Sequence, residues 1–94
     1  MSNWQDIGGG HEISFYVGED DKVRIGLLDR HNKPDGSRCN GPSSIPFDVP
    51  QNSHVPPSVR WQLVSMEPLT LSPSLLCQIC GDHGFIRDGK WVVA

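Results

Sequence analysis

Apolar residues along this chain recur at every second position rather than every third or fourth. From Glu12 to Val17, Ile13, Phe15 and Val17 alternate with Glu12, Ser14 and Tyr16, the pattern of a strand with one buried face. The same period returns from Lys22 to Leu28, where Val23, Ile25 and Leu27 oppose Lys22 and Arg24. Between these runs lies the acidic turn Gly18-Glu19-Asp20-Asp21, so the two segments predict an antiparallel hairpin. No eleven-residue window carries a 3.6-residue apolar period, and there are no internal repeats.

Further strands follow in short pieces. Asp29 to Ser44 is polar and interrupted by Pro34, Gly36, Gly41 and Pro42, which predicts a long loop holding His31 and Cys39. A short strand is expected at Ile45 to Val49, and a central strand at Val59 to Ser65, with Val59, Trp61 and Leu63 on one face. Glu67 to Pro73 can supply at most an edge strand, because proline cannot donate to a ladder. Gly84 to Arg87 and Lys90 to Val93 flank Asp88-Gly89, a dipeptide suited to a two-residue type I′ turn. The fold class is therefore all-β: a small antiparallel sheet of two hairpins plus central strands. Gly8, Gly9 and Gly10 mark residues 1–10 as a flexible N-terminal arm ahead of a single domain over 11–94.

Composition sharpens this picture. A chain of 94 residues buries only about 60–65% of its unfolded surface, so its core is thin and some further staple is expected. Ten Gly and eight Pro break up long helices. The net charge of −3 includes no cluster of Lys and Arg, which disfavours nucleic acid as a partner. No apolar run approaches the roughly 20 residues that cross a bilayer, and a signal-peptide pattern is absent from the N-terminus, so a soluble cytoplasmic protein is expected.

Three Cys is an odd number for a disulfide framework, and two of them lie close together. Cys77-Gln78-Ile79-Cys80-Gly81-Asp82-His83 places three ligand types at Cys-x2-Cys-x2-His spacing, with Gly81 supplying the freedom a knuckle turn needs. Zinc suits sulfur and imidazole in a tetrahedron, and a structural zinc site is the expectation, with Leu75 and Leu76 tucked beneath it. Two other readings compete: buried thiols acting as small hydrophobes, and a redox dithiol. Thioredoxin-like chemistry needs a helix after the first Cys, which Gly81, Gly84 and the hairpin signal forbid. A closed site needs a fourth ligand, and the candidates in order are Cys39, His54, His31 and His11. The set read from sequence is thus Cys39, Cys77, Cys80 and His83. Water in the fourth position would instead open a route to a small metal-dependent enzyme.

Leu71-Ser72-Pro73-Ser74-Leu75, followed by Cys80-Gly81-Asp82-His83-Gly84-Phe85-Ile86-Arg87-Asp88-Gly89-Lys90-Trp91, resembles the ending of a domain-of-unknown-function family of small metal-binding proteins from actinobacteria and their phages. The resemblance covers residues 58–94. In that family a Cys-rich turn precedes a Ser-Pro-Ser segment and a Cys-x2-His-aromatic hairpin. Cys80 and His83 match the second element, and Cys39 alone stands for the first. The resemblance implies a phage-encoded accessory protein and carries no activity with it.

Other constellations point to ordinary structure. Ser72, Ser74 and His83 lack the Gly-x-Ser-x-Gly elbow of a hydrolase, so the serines read as turn residues. Glu19, Asp20 and Asp21 lack the spacing of a calcium loop. Trp61 and Trp91 are expected to pack, while Trp4 either docks a partner or folds back on the sheet. With no catalytic set visible, the leading expectation is a non-enzymatic zinc-stabilised module that binds another protein. The alternative is a phage virion component, such as a capsid decoration or a minor head or tail protein.

Overall fold

A computed structural model describes residues 4–19, 23–33, 35–39 and 44–94. It is all-β: among the described residues nine strands form three antiparallel sheets, and the only helical pieces are two 3-10 turns, Pro50–Asn52 and Pro57–Val59. The first sheet has the order β1 (Gln5–Gly8), β2 (His11–Val17), β3 (Arg24–His31), β4 (Ser44–Pro46). A two-stranded ribbon pairs β5 (Gln62–Met66) with β6 (Leu69–Ser72), and the third sheet runs β7 (Leu75–Leu76), β8 (His83–Arg87), β9 (Lys90–Val93).

The expected hairpins are present. β2 pairs with β3 in the register His11↔His31, Ile13↔Asp29 and Phe15↔Leu27, so the inward positions of the two strands meet on one face. Asp20 and Asp21 of the expected turn lie outside the described residues, but Gly18 N–H donates to the Val23 carbonyl at 3.0 Å and begins the reversal. β8 and β9 turn at Asp88 and Gly89, with φ of 51° and 75°, the left-handed pair that a type I′ turn requires.

Three expectations are revised. Residues 5–8 of the N-terminal arm form β1, because Ile7 is buried in the core and Gly9-Gly10 fold the strand back onto β2. Trp4 accordingly lies against the sheet, with the Arg30 guanidinium 4.1 Å above its ring. The strand expected at Val59 to Ser65 is not central. Pro57 starts a 3-10 turn that takes up Val59, Trp61 makes one parallel bridge to Phe47, and only Gln62–Met66 forms a strand, paired with β6. Finally, β3 runs on to His31, beyond the expected end at Leu28.

One core joins the sheets. Ile7, Ile13, Leu27, Ile45 and Phe47 from the first sheet pack with Leu69 and Leu71 of the ribbon and with Leu75, Ile86 and Trp91 of the third. Asn52 closes the connection after β4: its buried amide donates to the carbonyls of Ile25 at 2.8 Å and Phe47 at 2.7 Å. Trp91 reaches the first sheet because Gly9 and Gly84 leave room for its indole; a Cβ at either position would run into the ring.

Candidate metal centre

Two separate stretches of chain build the centre. The first is the end of β3 together with the hairpin beyond it. Alternation along the strand turns Leu27, Asp29 and His31 inward, so His31 enters the interior at the last strand position. The chain then doubles back: Asn32 bridges Arg38, Lys33 N–H donates to Ser37 O at 2.6 Å, and Cys39 N–H donates to His31 O at 3.0 Å. Asp35 secures the tip by accepting from the Ser37 amide at 2.9 Å and from its hydroxyl at 2.6 Å. A region that reads as loop thus delivers Cys39 beside His31.

The second stretch is the knuckle. Gly81 N–H donates to Cys77 O at 2.7 Å, and Cys77 N–H donates to Asp82 O at 2.8 Å, closing a tight turn around Gln78-Ile79-Cys80. Gly81 sits at φ +79°, a conformation glycine adopts without a Cβ penalty. The turn sends both thiols toward the His31–Cys39 hairpin.

His31, Cys39, Cys77 and Cys80 offer four donor atoms that all lie within 4.8 Å of one another. Cys39 Sγ is 3.8 Å from Cys77 Sγ, and Cys80 Sγ is 3.3 Å from His31 Nε2. This group can bind a metal ion. All three cysteines named by the sequence are in it, and the histidine is His31, third among the sequence candidates for the fourth position.

His83 stands outside the group. It opens β8, pairs with Leu76 on the strand backbone, and turns its ring to the exposed face, where Nε2 is 2.8 Å from Ser74 Oγ. Strand alternation explains this: Gly84 and Ile86 are the buried positions of β8, so His83 must point away from them. Among the described residues no hydrogen bond or ion pair joins a carboxylate to His83, so the Ser74–His83 contact lacks the third member of a hydrolytic triad. His54 is exposed in the connection after β4 and also lies outside the group.

Behind the donors lies a buried polar layer. His11 is directly opposite His31 across β2–β3, and the two rings stack at 4.7 Å with 20° between planes. Trp91 stacks on the other side of His11 at 3.6 Å. His11 Nδ1 is 3.0 Å from both Asp29 oxygens, and Nε2 is 2.6 Å from Asp82 Oδ2. With a carboxylate at each nitrogen, the ring satisfies both contacts only when both nitrogens carry protons. Burial by itself would lower the pKa of His11, but the hydrogen bonds and charges of Asp29 and then Asp82 outweigh it and raise the value above 6.5. Asp29 also faces the far side of His31, 3.6 Å from a buried Nδ1 that has no hydrogen-bond partner. At that separation the carboxylate acts on the ring through its charge and not through a hydrogen bond, from the side on which outer-shell carboxylates orient a metal-binding histidine.

His11, Asp29 and His31 also bring three donors within 4.8 Å. Near-parallel stacked rings carry their lone pairs in separate planes, so a single ion cannot lie on both. The hydrogen-bonded His11–Asp29 pair therefore backs His31 by ring stacking and charge.

The thiols are not equivalent. Burial pushes Cys77 up, but the amides of Cys80 and Ile79 and the side chains of Cys80 and His31 bring it down to about 6. For Cys80 the Asp82 amide acts to lower the pKa, yet burial and the neighbouring Cys77 and Cys39 sulfurs together raise it. A thiol already ionised near neutral pH is ready to accept a cation.

Beside the centre a cleft of about 350 Å³ opens between β4 and β7, lined in part by Ile45, Trp61, Leu75 and Cys77. At its mouth Leu76 and Ile79 are 58% and 67% exposed. No helix among the described residues is long and apolar enough to cross a membrane.

The supporting residues Asp29 and His11 were not singled out by sequence as a pair, although a signal was present. Each lies one residue beyond a strand identified by its alternation, in the continuation of that strand's inward register, where a polar side chain must find a partner. No protein-family model matches the chain, and comparison with curated proteins and with solved structures yields no match.

Proposed function

We propose that the protein is a zinc-stapled β domain in which the metal is structural and the folded surface binds another protein. The observation that carries this reading is the convergence of His31 and Cys39 with Cys77 and Cys80. Bonds of about 2.3 Å from zinc to sulfur and about 2.1 Å to nitrogen give a tetrahedron with S···S edges of about 3.8 Å and S···N edges of about 3.6 Å. The Cys39–Cys77 separation of 3.8 Å and the Cys80–His31 separation of 3.3 Å fit those edges. Three thiolates and one imidazole favour zinc over the hard oxygen-seeking cations. Four protein donors fill the tetrahedron, which leaves no position for substrate and argues for a staple.

The position of the site supports the same role. It joins the first sheet to the third at a place where a thin core needs reinforcement. Leu76 and Ile79, exposed at the cleft mouth beside the knuckle, supply an apolar surface that the staple would hold in shape for a partner. The resemblance of residues 71–91 to a phage-associated family supports a phage-encoded accessory protein as the biological setting.

Metal analysis of the purified chain tests the reading. One zinc per chain, with loss of near-ultraviolet circular dichroism on chelation, is the expected result. A chain that holds no metal and keeps its fold in a strong chelator would refute it. Ile79→Asp tests the surface: it should leave zinc content and fold intact while abolishing co-purification of the partner.

A further inference from the structure

The three sulfurs at the centre are arranged unequally with respect to solvent. Cys77 is half-buried and forms part of the cleft wall, whereas Cys39 is buried at 6% exposure, 3.8 Å behind it. Cys80 is as accessible as Cys77 but lines a separate cavity and turns its sulfur toward His31, at 3.3 Å. An accessible thiolate backed by a shielded one is the layout in which the first attacks an oxidant and the second resolves the product.

We propose that a hydroperoxide entering the cleft oxidises Cys77 and Cys39 to a disulfide and that zinc leaves as the bond forms; this rests on the zinc-staple reading. The Cys77 thiolate attacks the terminal oxygen of the hydroperoxide, the O–O bond breaks, and the departing alkoxide takes a proton and leaves as the alcohol. Cys77 is then a sulfenic acid. The Cys39 thiolate attacks the Cys77 sulfur, the S–O bond breaks, and hydroxide takes a second proton to leave as water. In sum, two thiolates, one hydroperoxide and two protons give a disulfide, an alcohol and a water, with two electrons passing from sulfur to oxygen. Zinc then retains only Cys80 and His31, half of its donors, and is released.

The new bond joins the same two stretches of chain that the metal joined. Closing the sulfurs from 3.8 Å to a bond of about 2 Å needs movement only in the hairpin after β3 and in the knuckle, both of them turns. A metal staple is exchanged for a covalent one, and the sheets remain folded.

The test uses the full zinc-loaded chain and hydrogen peroxide, followed with a chromogenic zinc indicator, mass spectrometry and circular dichroism. Zinc content before oxidation bears on the parent reading alone, since a metal-free chain removes the release step while the peptide map still decides the disulfide. The expected result is release of the bound zinc and a mass about 2 Da below the reduced metal-free chain. Tryptic peptides 39–60 and 61–87 become linked, and the β-sheet signal is retained. Cys80→Ser should keep that link on oxidation, and Cys39→Ser should leave a sulfenic acid at Cys77 that dimedone captures. Zinc retention in about tenfold excess peroxide, a gain of about 32 Da per oxidised thiol without a link, or a Cys77–Cys80 disulfide confined to peptide 61–87 would each overturn the proposal.

Discussion

Replacing His31 and His83 one at a time separates the ligand set of the folded protein from the set its sequence motif suggests. His83 is exposed, and among the described residues its side chain makes one hydrogen bond, to Ser74 Oγ at 2.8 Å. Truncating such a side chain changes stability by about 0.5 kcal/mol or less. His31 is 2% exposed, lies 3.3 Å from Cys80 Sγ and stacks on His11. Structural zinc contributes roughly 10–16 kcal/mol of apparent binding energy, so an equal share for one ligand of four is roughly 2.5–4 kcal/mol. At about 1.4 kcal/mol per factor of ten, His31→Ala should weaken zinc binding roughly 10²–10³-fold, and His83→Ala should leave it unchanged. Competition against a chromophoric chelator measures both constants on folded protein. Cobalt substitution adds a second readout, because the absorption of a cobalt centre with three sulfurs and one nitrogen should be altered in His31→Ala alone. Loss of metal from His83→Ala with retention by His31→Ala would refute the geometric assignment and restore the contiguous Cys-x2-Cys-x2-His motif.

Three further outcomes are expected from the supporting structure. Asp29→Asn removes the carboxylate behind His31 and should weaken metal binding about 10–100-fold with all four donors retained, read by the same competition assay; an unchanged constant would show that Asp29 plays no orienting part. Asn52→Ala removes one of the two hydrogen bonds accepted by each of the Ile25 and Phe47 carbonyls, which keep the Phe47 and Val49 amides, and should cost about 1–3 kcal/mol in urea unfolding of the zinc-loaded chain; a loss under about 0.5 kcal/mol would mean that water replaces the amide. His11 has a folded pKa raised above 6.5, so its stabilising contribution is complete below about that pH and is lost as pH rises through the folded value. The stability gap between the wild type and His11→Gln should therefore narrow with increasing pH, and an imidazole resonance titrating below 6.5 in the folded protein would contradict the clamp.

The strand pattern was legible because a period of two states directly which side chains face the core. It identified both hairpins, and the Asp88-Gly89 turn followed from its dipeptide. Local spacing also marked the knuckle, since a close thiol pair followed by Gly81 is a short-range signal. The fourth donor was harder to read. His83 is near in sequence, but the alternation of β8 turns it outward, and this depends on which face of the third sheet meets the core. His31 is more than forty residues away and reaches the site only because β3 continues through polar Asp29 and Arg30 to a polar inward end. A search for apolar alternation stops before such a stretch, although the register is unbroken. Val59 shows the converse error, since its apolar spacing suits a strand while the adjacent prolines impose a 3-10 turn.

The His11↔His31 pairing has a consequence for how the chain reaches its native state. Side chains on a strand change faces with each residue, so slipping β2 against β3 by one position would take His11 out of register with His31 and put the stacked support out of line. The hairpin can form early because its partners are close in sequence, whereas Cys77 and Cys80 must be brought from far along the chain. On the metal-staple reading, capture of an ion would follow strand pairing, and a slipped hairpin would still present the four donors but without the His11 ring stacked behind His31, so the ion would favour the native register only through that support.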